Sequence, residues 1–306
     1  MIYAFYALAF LALFIVLPSL VLVFKLFKRK TVTDFDRSKR GSFGTYAPYM
    51  DEILDSIAYL RSLEPKTVSI ESGGVILKAD WYDAGSKFTA VLLHGFCSSP
   101  MNNFAVIGKA FIDRGFNALI VHQRAHNQSG GDFTALGIVE QNDLIRWTDW
   151  LKTDTSTESA VVYGISMGGA TIAYAADKLD ADLVRAAVIE SSYDTPYSQM
   201  YKGKGLMAVI WVPMMPFIRF FSKLIYGVDI KSSVLPSLQK TTIPVLFLAS
   251  ENDKRVPLKL FKKTSEACAS DSEFIVSRGA PHALAFTALD GDGRKKVFDF
   301  INKHIK

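Results

Sequence analysis

The chain has 306 residues, of which 49% are hydrophobic, and it carries 35 Lys and Arg against 30 Asp and Glu. Its two Cys can form at most one bridge, which excludes a small disulfide scaffold, and its 22 Phe, 12 Tyr and 4 Trp exclude a mainly disordered chain. The length fits one α/β domain or two smaller domains.

The net charge of +5 comes from one short segment. Residues 25–40 contain seven basic and two acidic side chains, whereas residues 41–306 contain 28 of each. A balanced domain offers no basic face that could follow a nucleic-acid backbone. We therefore expect no nucleic-acid partner.

The first 24 residues carry no charge and are almost entirely apolar. A helix of about 20 such residues crosses a bilayer, and it tolerates a proline such as Pro18. Tyr3 and Tyr6 at one end and the basic residues 25–30 at the other suit the two membrane interfaces. The alternative, a cleaved signal peptide, would have a basic start, a shorter apolar core and a small-residue cleavage site. Residues 1–24 show none of these three features convincingly. We expect a retained transmembrane anchor over residues 1–24.

The basic cluster follows the apolar run, so the positive-inside rule places the C-terminal domain in the cytoplasm. This predicts a single-pass protein of the cell membrane with a cytoplasmic catalytic domain. Free Cys97 and Cys268 are compatible with a reducing compartment. Residues 25–65 are expected to form a basic juxtamembrane linker and a helix near residues 47–63.

Residues 66–306 alternate short β-branched runs with amphipathic stretches, which predicts an α/β domain with a mostly parallel, doubly wound sheet. The predicted strands are 67–70, 75–81, 89–93, 118–121, 160–163, 186–190, 244–249 and 273–277. The predicted helices are 103–114, 138–152, 167–178, 258–267 and 294–303.

About fifty residues separate the sixth and seventh predicted strands, too many for an ordinary connection. We interpret this stretch, about 192–240, as an inserted cap. Its apolar segment 206–221 is shorter than a membrane span, and Pro213 and Pro216 interrupt it. Such a cap could cover a hydrophobic pocket or touch the membrane surface; plain packing of a helix on the sheet is the alternative.

A possible nucleophile lies in Gly164-Ile165-Ser166-Met167-Gly168, between a predicted strand and a predicted helix. In such a sharp turn the serine hydroxyl projects above the sheet, and small residues on either side avoid backbone clashes. The N-terminus of the following helix points at a developing oxyanion, to which the Met167 N–H can donate. The pattern alone is only suggestive, but its strand–turn–helix context predicts Ser166 as the nucleophile.

A serine hydroxyl needs a base, and the chain has five histidines. His304 lies near the C-terminus on a helix expected to be exposed. His94 follows a strand, in a segment expected to contribute backbone N–H donors rather than a side-chain base. His122 and His126 lie around a strand end ahead of Ser166 and are expected to be structural. We predict His282, in a loop after a late strand, as the base.

The base in turn needs a carboxylate that orients it and stabilises the imidazolium. Asp253 follows the strand 244–249, and Ser166, Asp253 and His282 then occur in the order Ser…Asp…His. We predict Asp253 as this acid. Glu251, two residues away, and Asp194, after the preceding strand, are the alternatives.

Together these motifs resemble the α/β-hydrolases, in particular the serine aminopeptidase and monoacylglycerol-lipase-like branch. The matching pieces are His94-Gly95-Phe96, Gly164-Ile165-Ser166-Met167-Gly168, Asp253 before Val256-Pro257, and His282. The resemblance covers most of residues 66–306 and implies an α/β-hydrolase fold. It also implies an oxyanion hole built from the backbone N–H groups of Phe96 and Met167, with Cys97 as the alternative donor. Acyl transfer by such a triad requires no metal or organic cofactor.

One loop departs from the family pattern D-x-R-G-H-G-x-S-x-G. In residues 122–131, His122 replaces the leading acid, and Ala125 and Asn127 replace two glycines. This loop is structural in relatives. The departure therefore affects the expected conformation of the loop and not the expected catalysis.

The combined prediction is a membrane-anchored serine hydrolase that cleaves carboxylic esters through an acyl-enzyme. The anchor and the apolar cap favour a lipophilic ester such as a monoacylglycerol or a lysophospholipid. The alternatives are a peptidase, amidase or thioesterase of the same fold, or a non-catalytic membrane-bound scaffold. A proline-type aminopeptidase is disfavoured, because residues 195–228 contain no Asp or Glu to hold a substrate amine.

Overall fold

A computed structural model describes residues 2–36, 44–200 and 206–305. Its strands are β1 (Lys66–Ser72), β2 (Val75–Tyr82), β3 (Phe88–Leu93), β4 (Asn117–His122), β5 (Ser159–Ile165), β6 (Val184–Glu190), β7 (Val245–Ser250) and β8 (Ser272–Ser277). They form one eight-stranded sheet in the order β1-β2-β4-β3-β5-β6-β7-β8. The β1–β2 and β2–β4 pairs are antiparallel and the other pairs are parallel. The predicted mostly parallel sheet is confirmed.

Helices cover both faces of this sheet. They are α1 (Ile2–Leu11), α2 (Leu17–Phe27), α3 (Met50–Ser62), α4 (Pro100–Ile112), α5 (Glu140–Asp154), α6 (Met167–Ala175), α7 (Pro196–Met200), α8 (Leu206–Tyr226), α9 (Leu235–Leu238), α10 (Leu258–Ser265), α11 (Ala285–Ala288) and α12 (Gly291–His304). Along β3, Ala90 and Leu92 pack in the layer with α3, α4 and α12, whereas Val91 and Leu93 pack in the layer with α5, α6 and α10. The central strands consist mainly of apolar residues because both of their faces are buried.

The predicted transmembrane anchor is wrong. Among the described residues, no helix has the length and apolar character that a membrane crossing requires. A π-helical turn at Ala12–Val16 divides the apolar run into α1 and α2, and Pro18 lies in the first turn of α2. Val23 and Phe27 of α2 are fully buried in a cluster with α8. Part of the apolar signal in the sequence is therefore a packing face on the domain.

Two of the basic residues expected to flank a membrane, Arg29 and Lys30, instead contact the loop 122–131. The Arg29 guanidinium donates hydrogen bonds to the carbonyl oxygens of Asn127 at 2.5 Å, Ser129 at 2.6 Å and Gly131 at 3.1 Å. The Lys30 N–H donates to the Ala125 carbonyl at 2.8 Å. Lys25 and Lys28 are exposed, and the other basic residues of the segment, Arg37, Lys39 and Arg40, lie outside the described residues.

The same loop shows where the departures from the family pattern matter. Ala125 and Asn127, which stand where that pattern has glycine, have φ angles of +56° and +44°. These left-handed values are uncommon for residues with a side chain. Backbone bonds from the N-terminal segment thus secure a loop that lacks two of its usual glycines.

Between β6 and β7 lie α7, α8 and α9, in the stretch interpreted as a cap; its residues 201–205 are outside the described part. The helix α8 continues through Pro213 and Pro216, although the sequence predicted an interruption there. One side of α8 buries Met215 and Ile218 in the cluster that contains α2. Exposed apolar side chains of α8 include Val209, Val212 and Phe220, and those of the N-terminal segment include Phe10 and Phe14.

Replacement of Phe27 by Ala tests whether α2 belongs to the folded domain. The ring is fully buried and stacks on Tyr226, with 5.0 Å between ring centroids. We expect its loss to lower the free energy of unfolding by about 3 to 5 kcal/mol, as for other buried phenylalanines. The matched control is Phe24→Ala, at an exposed position of the same helix, with an expected loss below about 1 kcal/mol. If urea denaturation gave equally small losses of unfolding free energy for Phe27→Ala and Phe24→Ala, α2 would not be part of the cooperatively folded domain.

Candidate active site

Ser166 lies in the turn between β5 and α6 with a φ angle of +53°. A Cβ atom on Gly164 would collide with the backbone of Gly168, and one on Gly168 would collide with the carbonyl group of Leu93. The two glycines therefore allow the close backbone approach that the turn requires. The Ser166 N–H donates to the Glu190 carbonyl oxygen at 2.8 Å, which ties the turn to the end of β6.

The structure brings Ser166, His282 and Asp253 together from three different strand ends. The distance from Ser166 Oγ to His282 Nε2 is 3.1 Å, and that from His282 Nδ1 to Asp253 Oδ2 is 2.7 Å. In the tautomer that this arrangement requires, Nδ1–H donates to the carboxylate and Nε2 accepts from the serine hydroxyl. The other Asp253 oxygen, Oδ1, accepts the backbone N–H groups of Arg255 and Val256, each at 2.8 Å.

The two alternative acids have other partners. The Glu251 carboxylate is exposed and accepts the Gly279 N–H at 2.8 Å, ahead of the loop that carries the base. Asp194 accepts the Thr195 N–H at 2.8 Å and the Ser198 hydroxyl at 2.6 Å at the start of α7. Asp253 is the carboxylate that contacts His282.

The described hydrogen bonds of the other histidines connect parts of the scaffold. His94 is fully buried, and its Nε2 accepts the Gln123 N–H at 3.1 Å. Burial lowers the pKa of His94 well below its ordinary value, which keeps the ring neutral. His122 lies 3.3 Å from Asp80, and His304 is at the end of α12. Across the described residues, no three His, Cys, Asp or Glu side chains form a group that could hold a metal ion.

The two predicted oxyanion donors flank the serine. Met167 is the first residue of α6, directly after Ser166, and Phe96 lines the cavity that contains the serine. The Cys97 N–H donates to His126 Nε2 at 3.4 Å. Burial lowers the pKa of His126 to about 4, so this ring is a neutral acceptor at neutral pH. The alternative donor is therefore already engaged.

Ser166 and His282 line a cavity of about 730 Å³. Its apolar lining includes Leu26, Phe96, Leu136, Met200 and Trp211, and its polar lining includes Thr33, Asp34, Tyr46, Gln199 and Arg255. Sequence reasoning missed the residues of this wall that come from the N-terminal segment and from Tyr46. They lie more than a hundred positions before the serine, and the sequence carries no signal for a contact over that distance.

Glu190 is a further residue of the site that sequence reasoning missed. It ends β6, is fully buried, and its carboxylate accepts the Tyr163 hydroxyl at 2.6 Å and the Ala285 N–H at 2.7 Å. It thus holds the loop that carries His282 while its backbone carbonyl holds Ser166. Burial raises the pKa of Glu190 to about 7. An acidic residue at the end of a strand buried on both faces is the one sequence signal for it.

Comparison with known proteins gives the family context. A model of the family described as X-Pro dipeptidyl-peptidase (S15 family) matches residues 42–214, more than half of the chain. The uncharacterized protein YqkD of Bacillus subtilis strain 168 is 28% identical over 219 residues, which are 70% of this chain and 71% of that protein. The matched family is not the branch that the motifs resembled, and its match starts after the N-terminal segment.

Solved structures show the same fold. The Pyrococcus furiosus esterase Pf2001 superposes with a TM-score of 0.64 and 22% identity, covering 80% of this chain and 94% of that chain. The α/β-hydrolase GrgF from a Penicillium species superposes with a TM-score of 0.63 and 16% identity, covering 78% and 98%. The predicted α/β-hydrolase fold is confirmed.

Glu190 predicts a specific pH dependence of stability. Because its pKa is about 7 in the folded chain against an ordinary 4.5, the native state binds its proton more tightly than the unfolded state does. The resulting stabilisation, about 3 kcal/mol, is fully present below about pH 4.5 and is lost as the pH rises through about 7. We expect this component to be missing in Glu190→Gln when urea denaturation is measured from pH 4.5 to pH 8. Glu251→Gln controls for the removal of one surface carboxyl, and parallel curves for wild type and Glu190→Gln would contradict the prediction.

Proposed function

The chain belongs to the X-Pro dipeptidyl-peptidase (S15) family and is a serine hydrolase, and from that premise we propose that it cleaves carboxylic esters with a hydrophobic acyl or alcohol group. Ser166 is the proposed nucleophile, His282 the base and Asp253 the acid. The observation that carries the proposal is the hydrogen-bonded series of 3.1 Å and 2.7 Å through these three side chains, on the wall of a largely apolar cavity.

The proposed reaction begins when His282 Nε2 takes the proton of the Ser166 hydroxyl as Oγ attacks the ester carbonyl carbon. The resulting imidazolium is stabilised by the Asp253 carboxylate, which two backbone N–H groups hold in place. The N–H groups of Phe96 and Met167 donate to the negatively charged oxygen of the tetrahedral intermediate. Phe96 is favoured over Cys97, whose N–H donates to a histidine.

The intermediate collapses when His282 returns the proton to the departing alcohol oxygen, which leaves the acyl group on Ser166. A water molecule then gives a proton to His282 and attacks the acyl carbon. Collapse of the second intermediate releases the acid and restores the serine. Every proton in this cycle moves between the substrate, water, Ser166 and His282.

The cavity favours an ester over an X-Pro dipeptide as substrate. An enzyme that removes residues from a peptide N-terminus needs an acid to hold the substrate amine. Asp34 is the acidic residue of the lining, but Arg61 binds its carboxylate at 2.7 Å. The apolar side chains Leu26, Leu136 and Trp211 instead suit a hydrocarbon chain. A solved structure that shares the fold is named an esterase, so ester hydrolysis lies within the chemistry of this fold.

Replacement of Ser166 by Ala tests the nucleophile. We expect kcat for a medium-chain para-nitrophenyl ester to fall by up to about a million-fold with the fold intact, as in other triad knockouts. Ser62→Ala, at the exposed end of α3, serves as the control. Esterase activity that survives in purified Ser166→Ala would contradict the assignment. Peptide para-nitroanilides and thioesters in the same assay test the peptidase and thioesterase alternatives, and no Ser166-dependent turnover of any of them would indicate a non-catalytic scaffold.

The apolar wall predicts the preferred acyl length. For para-nitrophenyl esters of increasing length we expect kcat/KM to be higher for medium and long chains than for acetate, since each buried methylene adds about 0.8 kcal/mol of binding. Removal of the indole in Trp211→Ala enlarges the cavity and should move the optimum to longer chains. Val212→Ala, next to it and exposed, is the matched control. A strong preference for acetate, or an optimum unchanged in Trp211→Ala, would reject the hydrophobic-substrate proposal.

A further inference from the structure

The cavity that contains Ser166 is lined by an arginine whose side chain has no protein partner. In the part of the chain that the structure describes, the Arg255 guanidinium forms neither a salt bridge nor a hydrogen bond, and the residue is exposed. Its backbone, in contrast, is fixed on both sides. The Arg255 N–H donates to Asp253 Oδ1 at 2.8 Å, and its carbonyl oxygen accepts from the Gln199 amide at 3.4 Å. The backbone of Arg255 is thus fixed beside the proposed triad, while its guanidinium has no partner among the described residues.

The charge of Arg255 affects the pKa of two other residues of the cavity lining. Burial raises the pKa of the Tyr46 hydroxyl, and Arg255 opposes that rise. Burial also raises the pKa of the Cys97 thiol, and the charges of Lys30 and Arg255 oppose it. Tyr46 and Cys97 belong to different segments that both line the cavity. The charge of Arg255 therefore acts on two other residues of the same cavity lining.

One charge in the lining has no opposite partner. Outside the proposed triad, the charged residues of the lining in the described part of the chain are Asp34 and Arg255, and Asp34 is paired with Arg61. The Lys30 ammonium lies 5.3 Å from the centre of the ring of Phe96, which also lines the cavity. The cavity thus combines an apolar wall with one cation, Arg255, that has no acidic partner.

We infer that Arg255 binds an anionic group of the substrate, so that the substrate is an amphiphilic ester with a hydrocarbon chain and a carboxylate or phosphate. This inference rests on the proposed ester hydrolysis. A guanidinium presents a planar set of donors that matches the oxygen atoms of either anion. The hydrocarbon chain contacts the wall that includes Trp211, while the anion pairs with Arg255. The same charge repels the α-amine of a peptide substrate.

The test compares substrates that differ in one anionic group. The first pair is para-carboxyphenyl octanoate and its neutral amide analogue para-carbamoylphenyl octanoate. The second pair is monooctanoylglycerol phosphate and monooctanoylglycerol, which distinguishes phosphate from carboxylate as the group that is bound. The readout is the ratio of kcat/KM for the anionic member to that for the neutral member. Dividing the ratio in a variant by the ratio in wild type cancels differences in intrinsic reactivity within a pair.

In Arg255→Gln we expect the ratio to fall about tenfold for at least one pair, the effect of one partly exposed charged hydrogen bond. Arg255→Lys should retain part of the ratio, and added salt should lower it in wild type. The control is Lys254→Gln, at an exposed neighbouring position that does not line the cavity. It should leave the ratio for both substrate pairs unchanged. Circular dichroism and the melting temperature check that each variant is folded.

The outcomes separate this inference from the proposed function. If wild type hydrolyses the neutral esters in a Ser166-dependent way but the ratio is the same in Arg255→Gln, the inference is overturned and ester hydrolysis stands. If neither member of either pair is hydrolysed above the level of Ser166→Ala, ester hydrolysis itself fails, and the inference fails with it. A fall in one pair alone identifies the anion that Arg255 binds.

Discussion

The strained turn at Ser166 is the constraint on which the rest of the site depends. A non-glycine residue with a φ of +53° persists only when its surroundings hold it there. The close approach of Gly164 and Gly168 removes the steric barrier, and the bond from the Ser166 N–H to the Glu190 carbonyl fixes the position of the turn. Because the Glu190 carboxylate also binds the N–H of Ala285, close after His282, one buried residue connects the turn of Ser166 to the loop of His282.

The order of the strands explains how residues so distant in sequence meet. The carboxyl ends of parallel strands lie at one edge of a sheet, and β3, β5, β6, β7 and β8 are consecutive neighbours. The loops after β5, β7 and β8 carry Ser166, Asp253 and His282, while the loop after β3 carries Phe96. The sheet thus supplies rigid supports, and short loops supply the chemistry.

The parts that sequence reasoning predicted are those with local signals. The eight strands follow from short β-branched runs, and Ser166 from a glycine pattern between a strand and a helix. Asp253 and His282 could be placed because each follows a strand directly. The expected domain limits, including the cap, stay predictions. Glu190 had only a weak signal, an acid at the end of a buried strand, whereas the Tyr46 contribution to the cavity could not be predicted, since it depends on a contact between distant segments.

The N-terminal segment shows why an apolar run is ambiguous. A bilayer and a protein surface both select apolar side chains, so hydropathy alone could not separate a membrane helix from one that packs on α8. The π-helical turn at Ala12–Val16 has no signal in the sequence. Likewise, the basic residues after the run fitted the positive-inside rule, although Arg29 binds three carbonyl oxygens of a neighbouring loop.

The position of this segment has a consequence for how the cavity can change. Leu26 and Asp34 line the cavity together with Ser166, although they lie far from it in sequence and outside the eight-stranded sheet. Substitutions in this segment can therefore reshape the cavity wall while the strands that support Ser166, Asp253 and His282 keep their positions.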